Sequence, residues 1–208
     1  MISHKHKCIF VHVPKTAGKS ILGLFGLPEF GRDYVDRYDY IEHPYDHRPL
    51  IAYRQRDYFD HYFKFAFVRN PWDRALSTFL YLLRGGSNDQ DARFRDRYLA
   101  NYGGNFEAFV QDLPAFLDTK FFAPQFVWIC DSEKRLIADF VGRFETLDQD
   151  LASISRRIAI DLSSLDHRNV TKHRPYGEYY TAKSRDIVAQ VYARDLDLFG
   201  YAFEQELT

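Results

Sequence analysis

The sequence predicts an α/β fold, a parallel sheet flanked by helices on both faces, within a single domain over residues 1–208. Three observations carry this. Apolar runs alternate along the chain with segments of helical period, the order from which parallel sheets are built. Two of the runs, at 8–13 and 64–68, show little polar alternation, as strands buried on both faces do. Each of these two then passes through a short turn directly into a helix.

The first run is CIFVHV (8–13). It stops at Pro14, and Lys15, Thr16, Ala17, Gly18, Lys19 and Ser20 open a helix that continues through Ile21, Leu22, Leu24 and Phe25. Strand, lysine- and glycine-bearing loop, and helix start make an anion site. Unpaired N–H groups point at the ligand, the helix dipole favours negative charge, and the lysines add full charge. A phosphorylated nucleotide is the expected ligand. The second run, KFAFV (64–68), leads into RNPWDRALS (69–77). Asn70 suits an N-cap, Pro71 the first helical position and Asp73 the first turn. Trp72, Ala75, Leu76, Phe79, Leu80 and Leu83 recur at helical spacing and predict a helix over 71–83, with Ser77 off that stripe.

The other elements follow from the same patterns. A weak strand near 38–41 and a helix near 50–58 separate the two units. After the turn-rich RGGSNDQDA (84–92), helices are expected near 92–101 and 105–112, a strand around 126–130, and helices near 148–159 and 182–197.

The loop at 15–20 ends in Gly-Lys-Ser, as a Walker A loop does, but Val13 stands where that motif has its first glycine. HVPKTAGKS (12–20) more closely resembles the 5′-phosphosulfate loop of the sulfotransferases that use 3′-phosphoadenosine 5′-phosphosulfate (PAPS), in particular their carbohydrate branch. Lys19 departs from that family's usual threonine or small residue. RNPWDRALS (69–77) resembles the family's 3′-phosphate motif, Arg-Asn/Asp-Pro-x-x-Arg-x-x-Ser. FAPQFVWI (122–129), DFVGRFETLDQD (139–150), Tyr179, Tyr180 and DLDLFGYAF (195–203) resemble its middle and closing segments, so the likeness runs from about Cys8 to Phe203.

The resemblance implies a P-loop-like sheet, with PAPS as co-substrate and no metal. It implies that Lys15, Thr16, Ala17, Gly18, Lys19 and Ser20 surround the 5′-phosphosulfate, and that Arg69 and Ser77 bind the 3′-phosphate. Arginine suits that task because its planar fork meets phosphate oxygens in pairs. A late basic stretch, HRNVTKHRPY (167–176), makes Lys172 and Arg174 candidates for the same end of the cofactor. A solvated charged turn and a contact to an anionic acceptor are the alternatives for it.

The implied reaction is sulfuryl transfer to a hydroxyl of a carbohydrate or glycan-like acceptor. Like phosphoryl transfer it needs mainly positioning and charge stabilisation. Lys15 would stabilise the charge that builds on the oxygen bridging sulfur and phosphorus. The acceptor needs a base, and the family draws it from between the two phosphate motifs, here DYIEHPYDHRPL (39–50). His47 is the first choice, because HRPLIAY (47–53) resembles the family's histidine-led helix start; an imidazole titrates near working pH. His43 and Glu42 are the alternatives. His12, inside the first strand, reads as a packed or hydrogen-bonded histidine. A P-loop small-molecule or nucleotide kinase is the runner-up function, and a non-catalytic nucleotide-binding protein the third.

Composition agrees with one enzyme domain. The 208 residues are 46% hydrophobic, enough for one core, and the net charge of −1 gives no general electrostatic drive towards nucleic acid. Cys8 and Cys130 both lie in apolar runs and read as packed, reduced thiols. No run of about 18 apolar residues occurs, so no transmembrane helix is expected, and the first strand begins too early for a signal peptide. A bacterial-type enzyme in the cytoplasm is the expectation.

Overall fold

Residues 8–11 and 63–68 pair in parallel at the centre of a five-stranded sheet. The computed structural model describes residues 1–27, 41–42, 47–161 and 174–203. In chain order the elements are β1 (Ile2–Ser3), β2 (Cys8–Val11), α1 (Gly18–Leu24), β3 (Ile41–Glu42), β4 (Phe63–Val68), α2 (Pro71–Leu83) and α3 (Asp89–Phe94). There follow α4 (Phe106–Asp112), α5 (Phe126–Ile129), β5 (Phe140–Arg143), α6 (Leu147–Ile158), α7 (Ala182–Val191) and α8 (Ala193–Phe199). The sheet order is β3-β1-β2-β4-β5. This is the expected α/β class, an open sheet flanked by helices. Its edge is a refinement: β1 runs antiparallel to both β2 and β3, so the sheet is mixed. Residues 4–7 turn back between β1 and β2, with Lys7 in the left-handed region at φ 47°.

Contacts divide the chain into two units, Met1–Arg69 with Gln125–Val170, and Asn70–Pro124 with Thr171–Thr208. The sheet belongs to the first. Cys8 and Phe10 of β2 and Phe65 and Phe67 of β4 form one core with Ile21, Leu22 and Phe25, and with Leu147, Leu151, Ile154 and Ile158 of α6. The α6 residues recur at spacings of four, three and four, one face of a helix. Each such aliphatic side chain stabilises by about 1.5–3 kcal/mol when fully buried. Alternate strand residues Ile9, Val11, Ala66 and Val68 are buried as well, as their unbroken apolar runs require. Gly142 of β5 is opposite Phe67, and a Cβ there would overlap the phenyl ring. Neither cysteine is in a disulfide and both are buried; burial pushes the Cys8 thiol up to about 12.

The second unit is helical. Asn70 accepts from the Trp72 N–H at 3.1 Å and Pro71 is the first residue of α2, as its sequence predicts. The amide nitrogen of Asn70 also donates to Ala202 O at 3.0 Å, so the cap holds the closing segment too. Trp72, Leu76, Phe79 and Leu82 of α2 pack with Phe106, Phe109, Val110, Phe122, Val188 and Tyr192. Arg74 is buried among them. Its guanidinium donates to Ala123 O at 2.8 Å and to Phe121 O at 3.5 Å, and it lies 5.2 Å from the Tyr192 ring.

Two expected elements differ. The strand expected around 126–130 is the helical turn α5. A four- or five-residue apolar run has no period long enough to separate the two states. The helix expected near 50–58 is a 3-10 turn, Leu50–Tyr53, followed by further turns. The strand expected near 38–41 is described only at its end, as β3; residues 38–40 lie outside the described residues.

Candidate functional site

At the C-terminal end of β2 the backbone leaves regular structure. Val13 N–H donates to Val11 O at 3.1 Å, and the Thr16 hydroxyl donates to Val13 O at 2.9 Å. Lys15 and Ala17 are both left-handed, at φ 66° and 65°, while Thr16 between them is not. Non-glycine residues resist this conformation, at a cost on the order of 1–3 kcal/mol each. Such alternation turns successive N–H groups into one concavity, the kind that receives anions. Ile21 N–H then donates to Ala17 O and the chain continues as α1. Gly18 is needed for close approach, not for its φ: a Cβ there would overlap the His12 imidazole.

His12 lies beside His47, with ring centroids 4.2 Å apart and the planes tilted by 42°. Its Nδ1 is buried and has no hydrogen-bond partner among the described residues. Burial first, then the neighbouring His47, holds its pKa well below 6.5, so the ring is neutral at physiological pH. The main chain of His12 organises His47: His47 Nδ1 is 2.7 Å from His12 O. A carbonyl only accepts, so Nδ1 carries the proton, and the neutral ring keeps its lone pair on Nε2. Trp128 flanks His47 at 6.1 Å between centroids.

Arg69 stands at the C-terminal end of β4 and is almost fully buried. Gln125 grips its backbone from both sides, accepting from Arg69 N–H and donating to Arg69 O, each at 2.8 Å. The guanidinium lies 4.1 Å from the Phe144 ring, and Nη1 donates to Lys15 O at 3.3 Å. The first unit therefore gathers eight residues singled out from sequence: Lys15, Thr16, Ala17, Gly18, Lys19, Ser20, His47 and Arg69. The concave amides, two lysines and an arginine can hold a polyanion, and a half-buried imidazole with its proton on Nδ1 has a basic Nε2 able to take another.

The other candidates fall elsewhere. Glu42 is in β3, bound to His4 Nε2 at 2.8 Å and to the Tyr58 hydroxyl at 3.4 Å. Ser77 is buried in α2 and Arg174 is exposed, both in the second unit; Arg174 pairs with Glu178 at 2.9 Å. His43 and Lys172 lie outside the described residues. Gln125 and Phe144, which fix Arg69, carry no sequence signal of that role. Among the described residues no group of three or more His, Cys, Asp or Glu is arranged to hold a metal, and no helix is long and apolar enough to cross a membrane.

Comparison with known proteins gives two matches. A model of the Sulfotransferase family matches residues 1–202. An uncharacterized protein of Archaeoglobus fulgidus is 29% identical over 102 residues, 49% of this chain and 72% of the relative. No solved structure matches significantly.

Proposed function

The chain belongs to the sulfotransferase family, and from that premise we propose that it transfers the sulfuryl group of PAPS to a hydroxyl of a carbohydrate or glycan-like acceptor. The observation that carries this reading is the Arg69 Nη1 contact to Lys15 O, which joins the strand ends bearing the two phosphate motifs. Family membership sets the kinase alternative aside.

In this reading the N–H groups of residues 16–20, the Lys15 ammonium and the Ser20 hydroxyl hold the 5′-phosphosulfate. Thr16 contributes its backbone only, because its hydroxyl proton is spent on Val13 O. Arg69 and Ser77 take the 3′-phosphate, with Lys172 and Arg174 as further cations for that end. The left-handed turns at Lys15 and Ala17 fit this group, since they form an anion cradle before a ligand arrives. PAPS supplies an activated sulfuryl group on a good leaving group, adenosine 3′,5′-bisphosphate. His47 Nε2 accepts the proton of the acceptor hydroxyl as its oxygen bonds to sulfur and the sulfur–oxygen bond to the phosphate breaks. Lys15 stabilises the charge left on the departing oxygen.

The test is transfer of radiolabelled sulfate from PAPS to a library of carbohydrate acceptors, with nucleotide binding measured in parallel. Adenosine 3′,5′-bisphosphate at a hundredfold excess over its dissociation constant should stabilise the fold by about 2.7 kcal/mol over the ligand-free protein, and AMP at the same concentration by less. Equal stabilisation by both nucleotides would remove the 3′-phosphate assignment, and transfer to no hydroxyl would remove the reaction.

A further inference from the structure

The parallel strands have two ends, and the loop of residues 14–20 and Arg69 occupy only one of them. A cleft of about 760 Å³ opens at the other, N-terminal end. Its walls come from the residues that precede three strands: Lys5, His6 and Lys7 before β2, Asp60, His61 and Tyr62 before β4, and Asp139 before β5. The end of α6 closes it with Arg157, Ile158 and Ala159. The six residues of β4 rise about 3.3 Å each, so roughly 20 Å separates this cleft from the loop end of the sheet. All of it lies within the first unit.

The charge in the cleft is unbalanced. Lys5, Lys7, Lys64 and Arg157 face only Asp60 and Asp139, a net of two positive charges before the histidines are counted. Lys64 and Asp139 neutralise each other at 2.9 Å. Lys5, Lys7 and Arg157 have no carboxylate partner among the described residues, and all three are exposed. Arg157 is held with its guanidinium 4.6 Å from the Phe63 ring, which orders the planar group and leaves its N–H edges for a ligand. His6 is likewise fixed, with Nδ1 2.8 Å from Ile158 O. The cleft thus presents cations and N–H donors beside the apolar side chains of Phe63, Ile158 and Ala159. Its volume falls in the range of small-molecule sites, about 300–1,000 Å³, well beyond a single inorganic anion.

We propose that this cleft is a second binding site, for an organic anion carrying two or more phosphate, sulfate or carboxylate groups. Lys5 and Lys7 take one anionic group and Arg157 another. The site is independent of the sulfuryl-transfer reading, because it shares no residue with the loop of residues 14–20.

Calorimetric titration at low salt tests it, with sodium tripolyphosphate, inorganic sulfate, a disulfated disaccharide and a tricarboxylate as separate probes. The multivalent probes should bind about tenfold or more tighter than inorganic sulfate, and all should weaken as salt rises. The ranking among the three multivalent probes identifies which anionic group the cleft favours. The double variant Lys7→Glu/Arg157→Glu should lose about tenfold or more in affinity, and Lys183→Glu, exposed and outside the cleft, should leave it unchanged. Lys5→Glu/Lys7→Glu repeats the test without touching Arg157, whose guanidinium lies against the Phe63 ring. Binding that survives both double variants, or that is lost with Lys183→Glu instead, would overturn the proposal. So would multivalent probes that bind no better than sulfate.

Discussion

Arg69 Nη1 donates to the main-chain carbonyl of Lys15 at 3.3 Å, joining residues 54 positions apart in sequence. The contact ties the end of β4 to a left-handed residue of the loop after β2. Gln125 and Phe144 fix the arginine from the other side. The loop backbone is therefore tied to an arginine that is itself a proposed cofactor-binding residue.

The two loop lysines should separate kinetically. Lys15→Ala is expected to lower turnover far more than affinity for adenosine 3′,5′-bisphosphate, because its contact strengthens as the leaving oxygen gains charge. Lys19→Thr, the residue usual in the resembled loop, should be mild. Steady-state kinetics with a binding titration read both. Loss of activity in Lys19→Thr with Lys15→Ala still active would reverse the two roles.

His47→Ala should cut turnover by about 10²–10⁴, the range for losing a general base, with nucleotide binding retained. His47→Asn keeps a donor for His12 O and loses the basic nitrogen, so it should be equally slow. A His47→Asn enzyme with near-normal turnover would mean that His47 only holds the main chain, and the base would lie elsewhere.

His12 should make stability fall on the acid side. Its folded pKa is depressed below 6.5, so between that value and its folded pKa the unfolded chain binds a proton that the folded chain does not. The contribution is fully present above about pH 6.5 and is lost as pH falls, at up to about 1.4 kcal/mol per pH unit. Thermal melts from pH 7 to 5, above the carboxylate range, should show the midpoint falling, with a flatter slope in His12→Asn. Identical slopes in both proteins would assign the acid sensitivity to another group.

Arg74 should prove structural even though it lies in the second motif. Arg74→Met keeps much of the volume and strands the carbonyls of Ala123 and Phe121, so a loss of about 1–3 kcal/mol is expected. Chemical denaturation measures it. KM for PAPS should be unchanged at a temperature where the variant is folded; a raised KM with normal stability would place Arg74 in the cofactor site.

Local chemistry made much of this legible in the sequence. The Asn70 cap, Pro71 and the apolar stripe are interactions within one turn or one helix face, and α2 begins and ends at the positions they predict. Loop and strand at 8–20 are legible for the same reason, and so is the amphipathic face of α6. What required tertiary structure was long-range. Residues 126–129 become helix where a strand was expected, next to a glutamine that takes both backbone hydrogen bonds of Arg69. The antiparallel edge β1 depends on pairing with β2 and β3, and a two-residue strand has no period of its own. The tautomer of His47 is set by a carbonyl 35 positions away, and the basic cleft by three chain segments that meet only because their strands run parallel. Sequence determines what neighbours along the chain can do for each other; which distant donor meets which acceptor is decided only when the sheet brings the strand ends together.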